Sequence, residues 1–173
     1  MNVSPAMRRY AAEIYRLQQD HNQVPVSMLN EHVGASAQAI SQMVRRLSER
    51  GYLVHEPYRG VRLTESGERI AMPALRRHRL TEVFLVRVMQ YDWASAHELA
   101  DTFERGINDE LEDRIDDLTG HPSRCPHGEP IPSKDGVMPQ VRDVPLVDVP
   151  SGSDCTIRSE ERRVGKECVR LCR

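Results

Sequence analysis

The chain has 173 residues, 39% hydrophobic and 29% charged, and its net charge of −2 gives no global signature of nucleic-acid binding. No apolar run is long enough to span a bilayer and the N-terminus lacks a signal-peptide core, so no membrane-embedded or exported protein is expected. The four cysteines stand at 125, 155, 168 and 172, a placement that does not staple a core and reads as a reduced, cytoplasmic protein.

Ser4-Pro5 predicts a helix start, with Ser as cap and Pro in the first turn, and Ala11, Ile14, Tyr15 and Leu17 carry the apolar face to about Asp20. A turn follows at His21–Pro25, then a short helix capped at Val26-Ser27 that contains Met28, Leu29 and Val33. After a turn at Val33-Gly34-Ala35, a helix from Ser36 to Arg50 places Ile40, Val44 and Leu47 on one stripe. Residues 51–63 alternate as a β-hairpin with Tyr58-Arg59-Gly60 at its tip. Residues 1–63 therefore read as a winged helix-turn-helix, the order of elements that places the helix after the turn in the DNA major groove.

Thr64-Glu65-Ser66-Gly67 starts a long helix reaching about Met89, which Pro73 should kink. Asp92 or Ser95 caps another helix to about Glu104, with Trp93 expected to anchor its start in the core. Asn108-Asp109 begins a shorter one ending at Thr119-Gly120. Residues 64–121 thus form a helical domain, and the prolines of 122–143 predict a linker. Residues 144–158 read as a strand, a Pro-Ser-Gly turn and a second strand, the start of a truncated β segment. Residues 159–173 do not continue that alternation and resemble a translated cloning adapter, so this tail, Cys168 and Cys172 included, is set aside as non-native. The expected fold class is mainly α, a winged helix-turn-helix followed by a helical dimerisation domain.

Residues 1–63 hold eight Arg against five acidic residues, whereas residues 94–118 hold nine acidic residues against Arg105 and Arg114. A basic front suits double-stranded DNA, and an acidic middle suits either a cation or a solvated helix face. Gln38, Ser41 and Gln42, on the outer face of the helix that Ser36 opens, are suited to base edges. Arg45 and Arg46 would lie nearer the backbone, and Arg59 at the hairpin tip would meet phosphate or a minor groove. In the acidic half His78 and Glu82 are one helical turn apart, as are His97 and Asp101, with Glu104 the next neighbour. Imidazole plus carboxylate suits Mn²⁺, Fe²⁺, Co²⁺ or Zn²⁺, although such a spacing also occurs in surface pairs. Cys125 and His127 are read as structural or incidental.

Several segments resemble the diphtheria toxin repressor/manganese transport regulator family: residues 14–17, 36–43, 63–67, 77–82, 109–115 and 125–132. The likeness runs in register from residue 5 to about 135, and residues 144–158 resemble the start of the family's FeoA-like barrel. The resemblance implies a homodimeric repressor activated by Mn²⁺ or Fe²⁺ that controls metal-uptake genes at a palindromic operator. It places His78, Glu82 and His97 at an ancillary metal site, and His78, Asp101 and Glu104 at the primary one. Asp101 replaces the Cys of iron-type members, which favours a hard ion such as Mn²⁺. Arg9 stands where the family has Met or Asp, Arg105 where it has His, and Ala12 where manganese-type members can have Glu.

A guanidinium does not become a ligand, so Arg9 and Arg105 are candidates to replace the metal by pairing with Asp101 or Glu104. That leaves a metal-independent DNA-binding regulator as the alternative to a metalloregulator. A metal-dependent hydrolase at His78, Glu82 and His97 is the remote alternative; no phosphate loop or catalytic triad is evident, and no enzyme is expected. Apolar residues such as Phe84, Val88, Phe103 and Leu111 exceed what one winged domain can bury and predict a symmetric dimer.

Overall fold

A computed structural model of the chain describes residues 3–141, 144 and 148–154. Among these, six α-helices and one hairpin follow the order α1 (Pro5–Leu17), α2 (Val26–Val33), α3 (Ala37–Glu49), β1 (Leu53–Glu56), β2 (Gly60–Leu63), α4 (Glu65–Arg87), α5 (Trp93–Phe103) and α6 (Asp109–Leu118). One 3₁₀ turn, Glu104–Gly106, joins α5 to the approach of α6.

Five of the six α-helices described start on a side-chain cap. The side chains of Ser4, Ser36, Thr64, Asp92 and Asn108 accept from backbone N–H groups three residues on, at Met7, Ala39, Gly67, Ser95 and Leu111. Of the two caps expected for α5, Asp92 is the one used. The start of α2 departs from expectation: Pro25 holds the cap position without a side-chain bond, and Ser27 lies inside the helix. Gly34 ends α2 in the left-handed conformation, φ 63°, which turns the chain into α3.

β1 and β2 pair antiparallel, Leu53 opposite Leu63 and Glu56 opposite Gly60. Val24, expected only in a turn, exchanges two backbone hydrogen bonds of 2.9 Å with Val61 and widens this wing. Gly60, at φ 123°, is required there, since a β-carbon would lie 2.3 Å from the Val24 carbonyl oxygen. The wing passes into α4 through Thr64 alone, whose hydroxyl donates to the Gly51 carbonyl at 2.7 Å.

One core joins α1, α2, α3, the wing and the first half of α4 around Ile14, Leu29, Ile40, Leu47, Val61 and Leu75. A second gathers Leu80 and Val83 of α4 with Ile107, Ile115, Cys125 and Ile131, and a third joins Leu85 to Ala96 and Ala100 of α5. α4 therefore belongs to all three, and it continues through Pro73. The carbonyl that Pro73 leaves unpaired is that of Arg69, on the exposed face where water reaches it, while Met72 and Leu75 are buried on either side.

The proline-rich segment does not behave as the expected free linker over its first half. Residues 124–138 fold back on α4 and α6: Arg76 donates to the Pro132 carbonyl at 2.8 Å, Arg79 to the Pro130 carbonyl at 2.6 Å, and Lys134 pairs with Asp113 at 2.5 Å. Cys125 and Ile131 are buried in the second core. Trp93, expected in the core, is 43% exposed and lies against His127 with ring centroids 5.8 Å apart. Pro150–Gly152 forms the expected turn, with the Ser153 N–H bonded to the Pro150 carbonyl at 3.1 Å. Most of the strand pair read into 144–158, and all of 159–173, lie outside the described residues.

Candidate metal centre and nucleic-acid interface

α4 points His78 and Glu82, one turn apart, toward α5, and both side chains are almost wholly buried. Across from them α5 supplies His97 and Asp101, and the 3₁₀ turn supplies Glu104. The His78 Nδ1 lies 3.2 Å from both an Asp101 and a Glu104 carboxylate oxygen. One oxygen of Glu82, Oε1, is shared by three imidazoles: His78 Nε2 at 3.2 Å, His97 Nδ1 at 2.7 Å and His127 Nδ1 at 3.3 Å. The rings of His97 lie edge-on to those of His78 and His127, with centroids 5.2 and 5.4 Å apart.

Three ligand-capable triads result, each with its donor atoms within 4.8 Å of one another: His78, Glu82 and His97; His78, Asp101 and Glu104; and Glu82, Cys125 and His127. The first two contain the five residues singled out from the sequence. The third was missed. Cys125 and His127 reach Glu82 only because the proline-rich segment folds back over α4, which local spacing does not reveal; the signal available was the Cys-Pro-His tripeptide itself. Nitrogen and carboxylate donors fit a first-row divalent ion in the first two triads, and the Cys125 thiol adds a softer donor in the third. Asp101 and His97 are about half exposed, at 57% and 49%, which leaves the cluster an open side.

The electrostatics are those of a negative pocket holding a proton. Burial and the nearby Arg16 both oppose charge on His78, but its hydrogen bonds to Asp101, Glu104 and Glu82 outweigh them and push its pKa up to about 10. Burial would raise Glu82, yet the bonds from His127, His78 and His97 hold it far below the usual carboxylate range. Asp101 is likewise lowered, with His78 outweighing burial. Burial, then Glu82 and Glu129, push the Cys125 thiol up to about 12.

The His78 value lies above its ordinary 6.5, so the stability it contributes is complete below pH 6.5 and is lost as pH rises toward 10. Thermal unfolding of the chain in chelator should therefore show a melting temperature that declines from about pH 6.5 to 10. A flat profile across that window would show that His78 is neutral in the folded chain.

The pairing of Arg9 and Arg105 with Asp101 or Glu104 is not found: among the described residues neither arginine forms an ion pair. Both instead line a neighbouring cavity that Glu104 also borders. The guanidinium whose field reaches Glu82, Asp101 and Glu104 is that of Arg16, which is bonded to Glu13 at 3.0 Å. Arg16 follows Arg9 by two helical turns on the same face of α1, and that spacing was the signal for it.

The second surface lies at the other end of α4. Gln38, Ser41, Gln42, Arg45 and Arg46 are all exposed on α3, with Ile40, Val44 and Leu47 beneath them. Ser36 is engaged in capping, and Arg45 is bonded to Glu49 at 2.7 Å. At the wing tip Tyr58 adopts φ 66° and stands free of the surface, and Arg59 is bonded to Glu56 at 3.3 Å.

A helix-turn-helix with a wing, fused to helices that gather imidazoles and carboxylates, defines a DNA-binding protein with a cation-sensing domain. The family comparisons agree. The iron dependent repressor N-terminal DNA binding domain matches residues 2–61, and the iron dependent repressor metal binding and dimerisation domain matches residues 64–133. The iron-dependent repressor IdeR of Mycobacterium tuberculosis (strain ATCC 25618 / H37Rv) is 30% identical over 155 residues, covering 86% of this chain and 67% of that protein. The diphtheria toxin repressor of Corynebacterium efficiens is 31% identical over 156 residues, with the same coverage of each chain. Among solved structures, a manganese-dependent transcriptional repressor in complex with manganese superposes with a TM-score of 0.69 at 39% identity, over 79% of this chain and 63% of that one. The chain belongs to the iron-dependent repressor family of metal-dependent transcriptional regulators, the diphtheria toxin repressor/manganese transport regulator group. It spans about two thirds of the length of these relatives.

Proposed function

We propose that the chain represses transcription as a homodimer on a palindromic operator when Mn²⁺ or Fe²⁺ is present. The observation that carries this reading is the place of the cluster: α4 bears His78 and Glu82 in its second half and is joined to the wing by one residue at its start. Residues 1–63 serve as the DNA-binding unit and residues 64–121 as the sensing and dimerising unit.

His78, Glu82 and His97 on one side, and His78, Asp101 and Glu104 on the other, are the residues that would hold the ion. Glu82, Cys125 and His127 offer a further set. A divalent ion bound there would supply positive charge to these carboxylates, its ligands coming from α4, α5 and the 3₁₀ turn. His78 would have to give up its proton to serve as a ligand, so uptake would be favoured as pH rises. Asp101, a hard oxygen donor, supports Mn²⁺ over softer ions.

Gln38, Ser41 and Gln42 are placed for base edges, and Ser36, Arg45, Arg46 and Arg59 for phosphates. The exposed apolar residues Val88, Phe103, Leu111 and Leu118, from the end of α4, α5 and α6, support a dimer face in the helical half. No helix among the described residues is long and apolar enough to cross a membrane, and a DNA partner supports a cytoplasmic location. The reading is of a regulator and not an enzyme.

The test is selective binding to fragments of the source genome at fixed salt, with Mn²⁺, with Fe²⁺ under anaerobic conditions, and with chelator. Selective binding only with metal is the expected result. Equal selective binding in chelator would replace this reading by that of a metal-independent DNA-binding regulator. Replacing Gln42 by Ala should weaken the selected site by about tenfold while leaving metal binding unchanged.

A further inference from the structure

A cavity of about 410 Å³ opens between the start of α1, the first half of α4 and the 3₁₀ turn. Four arginines line it, Arg8, Arg9, Arg77 and Arg105, against one acidic residue, Glu104. Arg77 is already committed to Asp109 at 2.9 Å and Glu112 at 3.0 Å. Glu104 is turned to the His78 imidazole at 3.2 Å. Among the described residues no ion pair involves Arg8, Arg9 or Arg105, although all three share the same cavity wall.

Three guanidiniums cannot relieve their mutual repulsion by losing protons, and they repel a divalent cation. Their planar forks match the paired oxygens of phosphate and carboxylate groups. The volume lies in the range of small-molecule pockets. The DNA-facing arginines, Arg45, Arg46 and Arg59, lie elsewhere, on α3 and the wing tip. The geometry points to a binding site for a small polyvalent oxyanion, a phosphate- or polycarboxylate-bearing molecule, held by Arg8, Arg9 and Arg105 between α1 and the 3₁₀ turn. Such a ligand clamps the DNA-binding half to the helical half beside the imidazole–carboxylate cluster, with Glu104 as the common wall.

The experiment titrates sodium pyrophosphate, and citrate in a parallel series, into the full metal-free chain by calorimetry. Chelator and fixed ionic strength keep the result independent of the metal reading. Saturable binding of one anion per chain is expected with at least one of the two probes, and which one binds identifies the class. Arg9→Gln and Arg105→Gln should each weaken it about tenfold, the worth of one charged hydrogen-bonding contact. The Arg45→Ala/Arg46→Ala double variant should leave it unchanged, separating the cavity from phosphate contacts of the DNA surface. Absence of saturable binding to the unaltered chain overturns the proposal. So does binding that survives both glutamine substitutions, or that disappears in the α3 double variant.

Discussion

Replacing Glu82 by Gln is expected to lower Mn²⁺ affinity by at least about 100-fold, and to cost the metal-free chain about 3–5 kcal/mol of stability. Both effects follow from one atom. Glu82 Oε1 is the common partner of His78, His97 and His127, and its side chain is only 3% exposed. The amide keeps the shape but not the charge, so the protonated His78 loses its buried counter-charge while Asp101 and Glu104 remain on its other side. Direct Mn²⁺ titration reads the first effect and urea denaturation in chelator the second. Asp101→Asn, at a half-exposed position, should shift stability far less. Unchanged Mn²⁺ affinity in Glu82→Gln would remove this residue from the metal centre.

The second large effect is expected from Arg76→Met. The Arg76 side chain is 10% exposed and donates to Glu112 at 3.1 Å, to Asp116 at 2.9 Å and to the Pro132 carbonyl at 2.8 Å. Methionine fills similar space but leaves two carboxylates in a largely dry environment, of which only Glu112 retains a second guanidinium, that of Arg77. A loss of about 3 kcal/mol is expected. The more telling change is local. Release of Pro132 loosens the segment that brings Cys125 and His127 to Glu82, so Cys125 should be alkylated faster, as followed by peptide mapping at that thiol. In the unaltered chain burial and a pKa pushed up to about 12 keep it unreactive. Unaltered Cys125 labelling alongside a lowered melting temperature would show that the segment is held by other contacts, Arg79 and Lys134 among them.

Local signals carried most of the fold. The cap at Ser4, the helix starts at Ser36, Thr64 and Asn108 and the stripe of Ile40, Val44 and Leu47 are decided within a few residues, and their reading agrees with the structure. Pro73 illustrates where such reasoning stops, since burial of Met72 and Leu75 holds α4 together across a residue that disfavours a helix by itself. The five residues on α4, α5 and the 3₁₀ turn lie within reach of one another because their helical spacing already put them on facing sides. The approach of Cys125 and His127 to Glu82 depends on contacts more than forty residues apart in the chain, made by arginines to carbonyl oxygens of prolines. No local pattern encodes those. Arg16 is an intermediate case: the face it shares with Arg9 was readable, but which of the two faces the carboxylates depends on how α1 lies along α4.

The joint between wing and long helix limits how a change at the imidazoles can be felt at the DNA surface. At Gly67 a β-carbon would fall 1.8 Å from the Tyr52 carbonyl oxygen, so helix and hairpin touch backbone to backbone. Thr64 fastens the same corner to Gly51 and Tyr52. A corner packed this closely cannot bend, and hairpin and helix must swing as a single arm. The stretch of α4 from Glu65 to His78 makes that arm about 20 Å long. A tilt of roughly 5° at His78 then displaces the far end by about 2 Å, enough to break a hydrogen bond. On the proposed dimeric reading, the fold would act as a mechanical amplifier, in which an adjustment too small to disturb any core would decide whether two reading heads match the pitch of the double helix.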